Sequence, residues 1–254
     1  MKIGVCGGIE RAPIIKSLGF DYIEENLAKI TALSENEFAK TVQEYQSLDF
    51  SVYSFNCFFG GDILLYGENS IAEVKKYASI ALERAYRLGG RVCVIGSGKA
   101  RAIPDGLSRE FAEQRFADIV SLCADIAAEY GIKIAIEPLN SRETNFVNTV
   151  SDAARIAKSS GRENAGSLVD FFHFFMENEN ESGVINNADS LIHAHIARPN
   201  EDRLSPKAED AEAVAGWAEL LKSIGYGGAI SLECRYKNFE EDIKEARKYM
   251  EFFR

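Results

Sequence analysis

The stretch Ile132-Lys133-Ile134-Ala135-Ile136-Glu137-Pro138-Leu139-Asn140 reads as a short buried strand that stops on a carboxylate. Ile132, Ile134 and Ile136 supply the β-branched bulk that suits a pleated sheet. Pro138 lacks a backbone donor, so the strand should end there and leave Glu137 at its C-terminal tip. The segments SLGFDYIE, EYGIKIAIE and SIGYGGAISLE share one grammar: helix, glycine, strand, acidic residue.

The same alternation runs along the whole chain. Strands are expected at Lys2–Cys6, Phe20–Glu24, Ser51–Phe55, Arg91–Ile95, Lys133–Glu137, Gly166–Asp170, Ser190–Ile196 and Ala229–Glu233. They are short and rich in Val and Ile, as in a sheet covered on both faces. Helical patterns lie between them at Glu35–Ser47, Ile71–Leu88, Glu110–Tyr130, Thr149–Lys158, Ala211–Ser223 and Phe239–Phe252. Ile9–Leu18 is a short helical pattern, and the polar stretch Glu179–Ala188 reads more as loop than helix. Gly19, Gly89, Gly131 and Gly225 stand where helix C-caps are expected. Eight strands alternating with helices predict an α/β protein, a (β/α)8 TIM barrel forming a single domain over residues 1–254. A doubly wound sheet is disfavoured because no G-x-G-x-x-G follows the first strand. No Pro/Gly/Ser tract, charge block or low-complexity run marks a linker.

The 254 residues carry 29 basic and 39 acidic side chains, a formal charge of −10, which argues against a nucleic-acid partner. The apolar share of 46% is ample for a large core. Five cysteines (Cys6, Cys57, Cys93, Cys123 and Cys234) show no C-x-x-C spacing, as expected of reduced thiols in a cytoplasmic protein. Cys6, Cys93 and Cys234 fall in strand-like runs and are expected as small core residues. MKIGVCGG reads as a first strand and turn, not as a targeting segment, and no apolar run approaches the roughly 20 residues that span a bilayer. A soluble cytoplasmic protein with no membrane contact is expected.

In such a barrel, the loops after the strand C-termini build the active site. Glu137, Asp170, His195 and Glu233 end the fifth to eighth strands, so they form an arc. Three carboxylates cannot crowd together as anions without compensating charge. One divalent metal ion solves this, and three carboxylates with one imidazole suit Mn²⁺, Mg²⁺ or Co²⁺; zinc accepts the same ligands. A single strand-end acid is more often a helix cap or half an ion pair; four in succession favour the metal.

IEPLN, VDFFH, HAHIA and SLECR, in this order on strands five to eight, resemble the sugar phosphate isomerase/epimerase superfamily of xylose isomerase-like barrels. The nearest resemblance is to its D-tagatose 3-epimerase-like ketose epimerases, and it covers the whole chain. The resemblance implies that Glu137, Asp170, His195 and Glu233 bind the metal, with Mn²⁺ the first expectation. It implies that Glu137 and Glu233 also act as catalytic acid and base. It further implies substrate contacts from His173 in VDFFH, Glu143 in EPLNSRE, and an arginine of HIARPNEDR, Arg203 first and Arg198 second. After HIA the family often shows a glycine-rich PG-x-G; this chain has LSPKAEDAEAVAG.

The implied activity is isomerisation or epimerisation of a small ketose or related sugar, by removal and return of a proton through an enediolate. A metal-dependent lyase resembling inosose dehydratases would use the same site, and a non-catalytic sugar-binding barrel is a further alternative. A nuclease of the endonuclease IV type is disfavoured by the acidic charge and the count of three histidines, His173, His193 and His195. His193, two residues before His195, should point to the same side of its strand. Glu24 or Glu25 is expected to reach the substrate or to serve as a cap or ion pair. Lys99 and Arg101 in GSGKARAIPDG read as a substrate-side loop more than a phosphate site, because the full phosphate-loop spacing is missing. Phe171, Phe172, Phe174, Phe175 and Trp217 are expected mainly in packing. Homo-oligomers are common among soluble enzymes and one is compatible here.

Overall fold

A computed structural model describes residues Met1–Arg254. Eight parallel strands close into a barrel in chain order: β1 (Lys2–Cys6), β2 (Tyr22–Asn26), β3 (Val52–Asn56), β4 (Val92–Ile95), β5 (Lys133–Ile136), β6 (Ala165–Asp170), β7 (Leu191–Ile196) and β8 (Ala229–Leu232). β8 pairs with β1 from Ala229↔Lys2 to Leu232↔Val5, which closes the ring. The single (β/α)8 barrel read from the alternation is the fold observed. Gly19, Gly89, Gly131 and Gly225, just past their helices, all take positive φ.

β2 starts two residues later than the pattern suggested. Phe20 is buried in the helix–sheet core, and the Asp21 carboxylate accepts the Ile3 backbone N–H at 2.8 Å, so this pair forms the turn into the strand. The strand then runs past Glu24 to Asn26, whose side chain caps an unanticipated helix, Leu27–Ala32, by accepting from Lys29 N. The sixth connection is two short helices, Phe171–Met176 and Glu181–Ile185. No helix is long and apolar enough to cross a membrane.

Alternation sends successive residues of each strand outward and inward. Outward residues such as Ile3, Ile23, Phe55, Ile134, Val169 and Ile230 join a core of 55 buried residues shared with the helices. Inside the barrel, Val92, Val94, Ala135 and Leu168 make a small apolar plug from β4, β5 and β6. The inner positions of β2, β3, β7 and β8 are polar: Tyr22, Glu24, Ser54, His193, His195 and Ser231, all buried. Barrel interiors are ordinarily filled with branched apolar side chains, so one half of this interior departs from the rule. Gly4 helps fill it: a Cβ there would collide with the Tyr22 ring, which occupies that space.

Candidate functional site

The strand ends converge as their order implied. Ligand atoms of Glu137, Asp170, His195 and Glu233 all lie within 4.8 Å of one another. Glu137 and Glu233 stand one residue beyond β5 and β8, with Glu137 N bonded to Ile95 O and Glu233 N to Ile196 O. Asp170 closes β6 and caps the helix that follows, its Oδ1 accepting from Phe172 N at 2.8 Å. Gly96 lies where a Cβ would strike Glu137 Oε2, so the carboxylate rests against bare backbone.

His195 Nδ1 lies 3.0 Å from Glu137 Oε1 and 3.0 Å from Glu233 Oε2. Its other nitrogen, Nε2, lies 2.8 Å from Glu24 Oε1. A neutral imidazole has one N–H and cannot donate on both sides, whereas an imidazolium can. Two ligands bonded at about 2.1 Å and at right angles to one cation are about 3.0 Å apart. The spacing around Nδ1 therefore fits a divalent ion shared with the two glutamates, and the cluster could hold a metal.

The charges press in the same direction. Burial first, and then the Glu233 carboxylate, push the Glu137 carboxyl up to about 8. Burial works on Glu233 too, but His195 and then Arg203 outweigh it and hold that carboxyl below its ordinary range. Burial lowers His195, yet Glu24 and then Glu233 raise it well above the usual imidazole value. Buried acids that differ this much mark a site short of positive charge.

Arg203 is brought to the same point by an unusual backbone. Its φ is +52°, Arg198 N bonds Leu204 O at 3.0 Å, and Arg235 N bonds Arg203 O at 2.8 Å. This tight return, in the stretch where the glycine-rich motif is missing, lays the guanidinium over the Phe172 ring at 4.8 Å. Its Nη2 donates to Asp170 Oδ2 at 2.9 Å and to Glu233 Oε2 at 2.6 Å. Arg198 lies elsewhere, donating to Glu209 Oε1 at 2.8 Å and packed against Asp210.

His173 is buried, and its Nδ1 accepts the Asn140 backbone N–H at 3.1 Å. The ring proton is therefore on Nε2, which faces Asp170 Oδ2 at 3.5 Å. Arg203 Nη1, 3.3 Å from the same nitrogen, is a second donor, so that pair is a contact and not a hydrogen bond. Glu143 stands at the rim, its Oε1 accepting from Asn140 Nδ2 at 2.9 Å.

Two asparagines escaped the sequence reading. Asn56 ends β3 and donates to Glu233 Oε1 at 3.1 Å; Asn140 fixes His173 and holds Glu143. The strand-end rule that found the acids would have found Asn56. Glu24 is buried beneath the cluster and buried Glu25 accepts from Tyr45 Oη at 2.5 Å; both border the cavity that opens beside Glu233. Arg101 is fully buried and donates to Ile95 O and Val147 O, so it is closed to a phosphate. Trp217 stacks on Phe171 at 4.8 Å in the core. Cys93 and Cys123 are core residues, whereas Cys6 and Cys234 line a cavity of about 500 Å³ that opens beside Glu233.

The chain spans well under half the length of the first two curated relatives it matches, 37% and 39%. D-psicose 3-epimerase of Agrobacterium fabrum is 32% identical over 114 residues, 43% of this chain and 37% of that protein. 3-dehydro-D-guloside 4-epimerase of Escherichia coli K12 is 24% identical over 237 residues, 90% of this chain and 87% of that protein. Among solved structures, D-psicose 3-epimerase in the presence of D-fructose superposes with a TM-score of 0.81 at 21% identity, covering 99% of this chain and 98% of that one. The family model of the xylose isomerase-like TIM barrel matches residues 13–254, every strand but the first, and the chain belongs to that family.

Proposed function

We propose that this chain is a divalent-metal-dependent sugar epimerase or isomerase, acting on a carbon beside the carbonyl of a small ketose or related keto sugar. The observation that carries the reading is the pair Glu137 and Glu233: two glutamates from the ends of separate strands that meet at one cluster with Asp170 and His195. That is the arrangement a proton transfer needs, one carboxylate to take a proton and one carboxyl to give it.

Glu233, anionic and steadied by Asn56, removes the proton from the carbon beside the carbonyl. Glu137 returns a proton to the opposite face, and in the reverse direction the two exchange roles. A divalent cation held by Glu137, Asp170, His195 and Glu233, with Mn²⁺ preferred and Mg²⁺, Co²⁺ or zinc admitted, would supply positive charge beside the carbonyl oxygen and acidify the neighbouring C–H. His173 Nε2–H and the Arg203 guanidinium donate to sugar oxygens where negative charge develops. Glu143, at the rim, accepts from a sugar hydroxyl. The remote end of the sugar occupies the 500 Å³ cavity, whose lining includes Gly8, Arg11, Asn26, Lys29 and Asn56. Relatives whose names specify a ketose 3-epimerase and a 3-dehydro-sugar 4-epimerase support chemistry next to a carbonyl.

The test is solvent deuterium incorporation into a panel of ketoses and keto-glycosides with Mn²⁺ present. Deuterium at the carbon beside the carbonyl, with a new epimer or isomer and no water lost, is expected. A dehydrated product would replace this reading with the lyase, and no exchange into any sugar of the panel would leave a binding protein.

A further inference from the structure

Glu24 is the most heavily hydrogen-bonded side chain in the barrel interior, and all four of its bonds go to side chains of other strands. It is wholly buried, one layer below the four clustered residues. Its Oε1 meets His195 Nε2 at 2.8 Å. Its Oε2 meets Ser54 Oγ at 2.6 Å, Ser231 Oγ at 2.6 Å and His193 Nε2 at 2.8 Å. Tyr22 Oη sits 2.7 Å from Ser231 Oγ and supplies that hydroxyl's own donor. The four partners come from β3, β7 and β8, so the network ties one side of the barrel together.

An ionised carboxylate is acceptor-only and has about four lone-pair sites. Four donors meet it, three on Oε2 and one on Oε1, so most of its acceptor capacity is spent on the protein. The nearby trio Cys6, Glu24 and His195 is therefore a poor second metal site, although its ligand atoms lie close together. The same bonds fix the imidazoles. His193 donates from Nε2, and so does His195, whose neutral ring therefore keeps its one proton there. The Nδ1 lone pair of His195 is then turned upward, to the point it shares with Glu137 and Glu233.

We infer that Glu24 is a positioning residue for the metal centre. Held by Ser54, Ser231 and His193, it sets the tautomer and ring plane of His195 so that Nδ1 is presented as a ligand. Metal-bound histidines commonly lean on such a partner, and its loss costs about 10- to 100-fold in metal affinity. The inference rests on the metal reading above.

The experiment is a calorimetric Mn²⁺ titration of wild-type and Glu24→Gln protein, each checked for folding by circular dichroism. It is joined by ¹⁵N-histidine NMR of the wild type loaded with diamagnetic Mg²⁺. Glu24→Gln keeps the volume but offers one acceptor oxygen where two served four donors. The expected result is one Mn²⁺ per wild-type chain, about 10- to 100-fold weaker binding in the variant, and a His195 ring proton on Nε2. A folded Glu24→Gln protein that binds Mn²⁺ within a factor of about two of wild type overturns the inference. So does a His195 proton on Nδ1, and that arm decides alone where the variant does not fold. A wild type that takes up no divalent ion overturns the metal reading itself, and this inference with it.

Discussion

His195 Nδ1 and Glu137 Oε1 stand 3.0 Å apart, while Nε2 is bonded to Glu24 on the other side. In the metal-free protein the raised imidazolium donates both ways; a cation at Nδ1 takes that proton's place at the same spacing. If the four strand ends hold that cation, Asp170→Asn and His195→Gln should each weaken Mn²⁺ binding by at least about 100-fold while the barrel stays folded, since breaking the ligand set removes charge and geometry together. Calorimetry reads the affinity and circular dichroism the fold.

Metal affinity should depend on pH in a way an ordinary carboxylate site does not. Glu137 must be ionised to serve as a ligand, yet burial and Glu233 push its carboxyl up to about 8 in the metal-free protein. Binding below that value has to expel a proton. The affinity for Mn²⁺ should therefore climb up to about tenfold per pH unit on approaching pH 8 and flatten above it. His195, also raised, adds proton release in the same direction. Titrations in buffers of different ionisation enthalpy count the protons, and a flat profile between about pH 6 and 8 would speak against the crowded carboxylates.

Arg203 and a metal ion compete for the same oxygens, Asp170 Oδ2 and Glu233 Oε2. Arg203→Gln should bind Mn²⁺ no more weakly than wild type, and up to several-fold more tightly. Its kcat/KM should nonetheless fall by about 100-fold, through loss of a charged donor to the substrate. Parallel losses of affinity and rate would mean that the guanidinium supports the metal site instead of facing the sugar.

Gly96 offers a substitution outside the reacting groups. A methyl at this position would strike Glu137 Oε2, and the backbone there belongs to the turn after β4. Gly96→Ala should displace the carboxylate, costing at least about tenfold in Mn²⁺ affinity with a change in stability of only about 1–3 kcal/mol, as for other overpacked sites. Thermal melts with and without metal separate the two effects.

The barrel was legible because the helix, glycine, strand grammar repeats through the chain, and the metal candidates because each ends a strand. What could not be read depends on contacts between distant strands. Glu24 looks like any acid after an apolar run; its partners Ser54, His193 and Ser231 lie on three other strands and carry no local signal. HIARPNEDR ranks Arg203 ahead of Arg198 by motif alone; the φ of +52° and the bond to Arg235 that turn Arg203 inward leave no mark in the sequence. The helix Leu27–Ala32 was missed because six residues are too few to show a periodicity, although Asn26 is a sound cap. Cys6 and Cys234 end apolar strands, and the sequence could not say that the space beyond them is a cavity and not core.

The most direct test of the central claim is a crystal of the protein soaked in Mn²⁺ and measured at a wavelength where manganese scatters anomalously. The account predicts one strong anomalous peak bonded to Glu137, Asp170, His195 Nδ1 and Glu233. An empty position between those four side chains at saturating Mn²⁺, or a peak ligated by other residues, would contradict it.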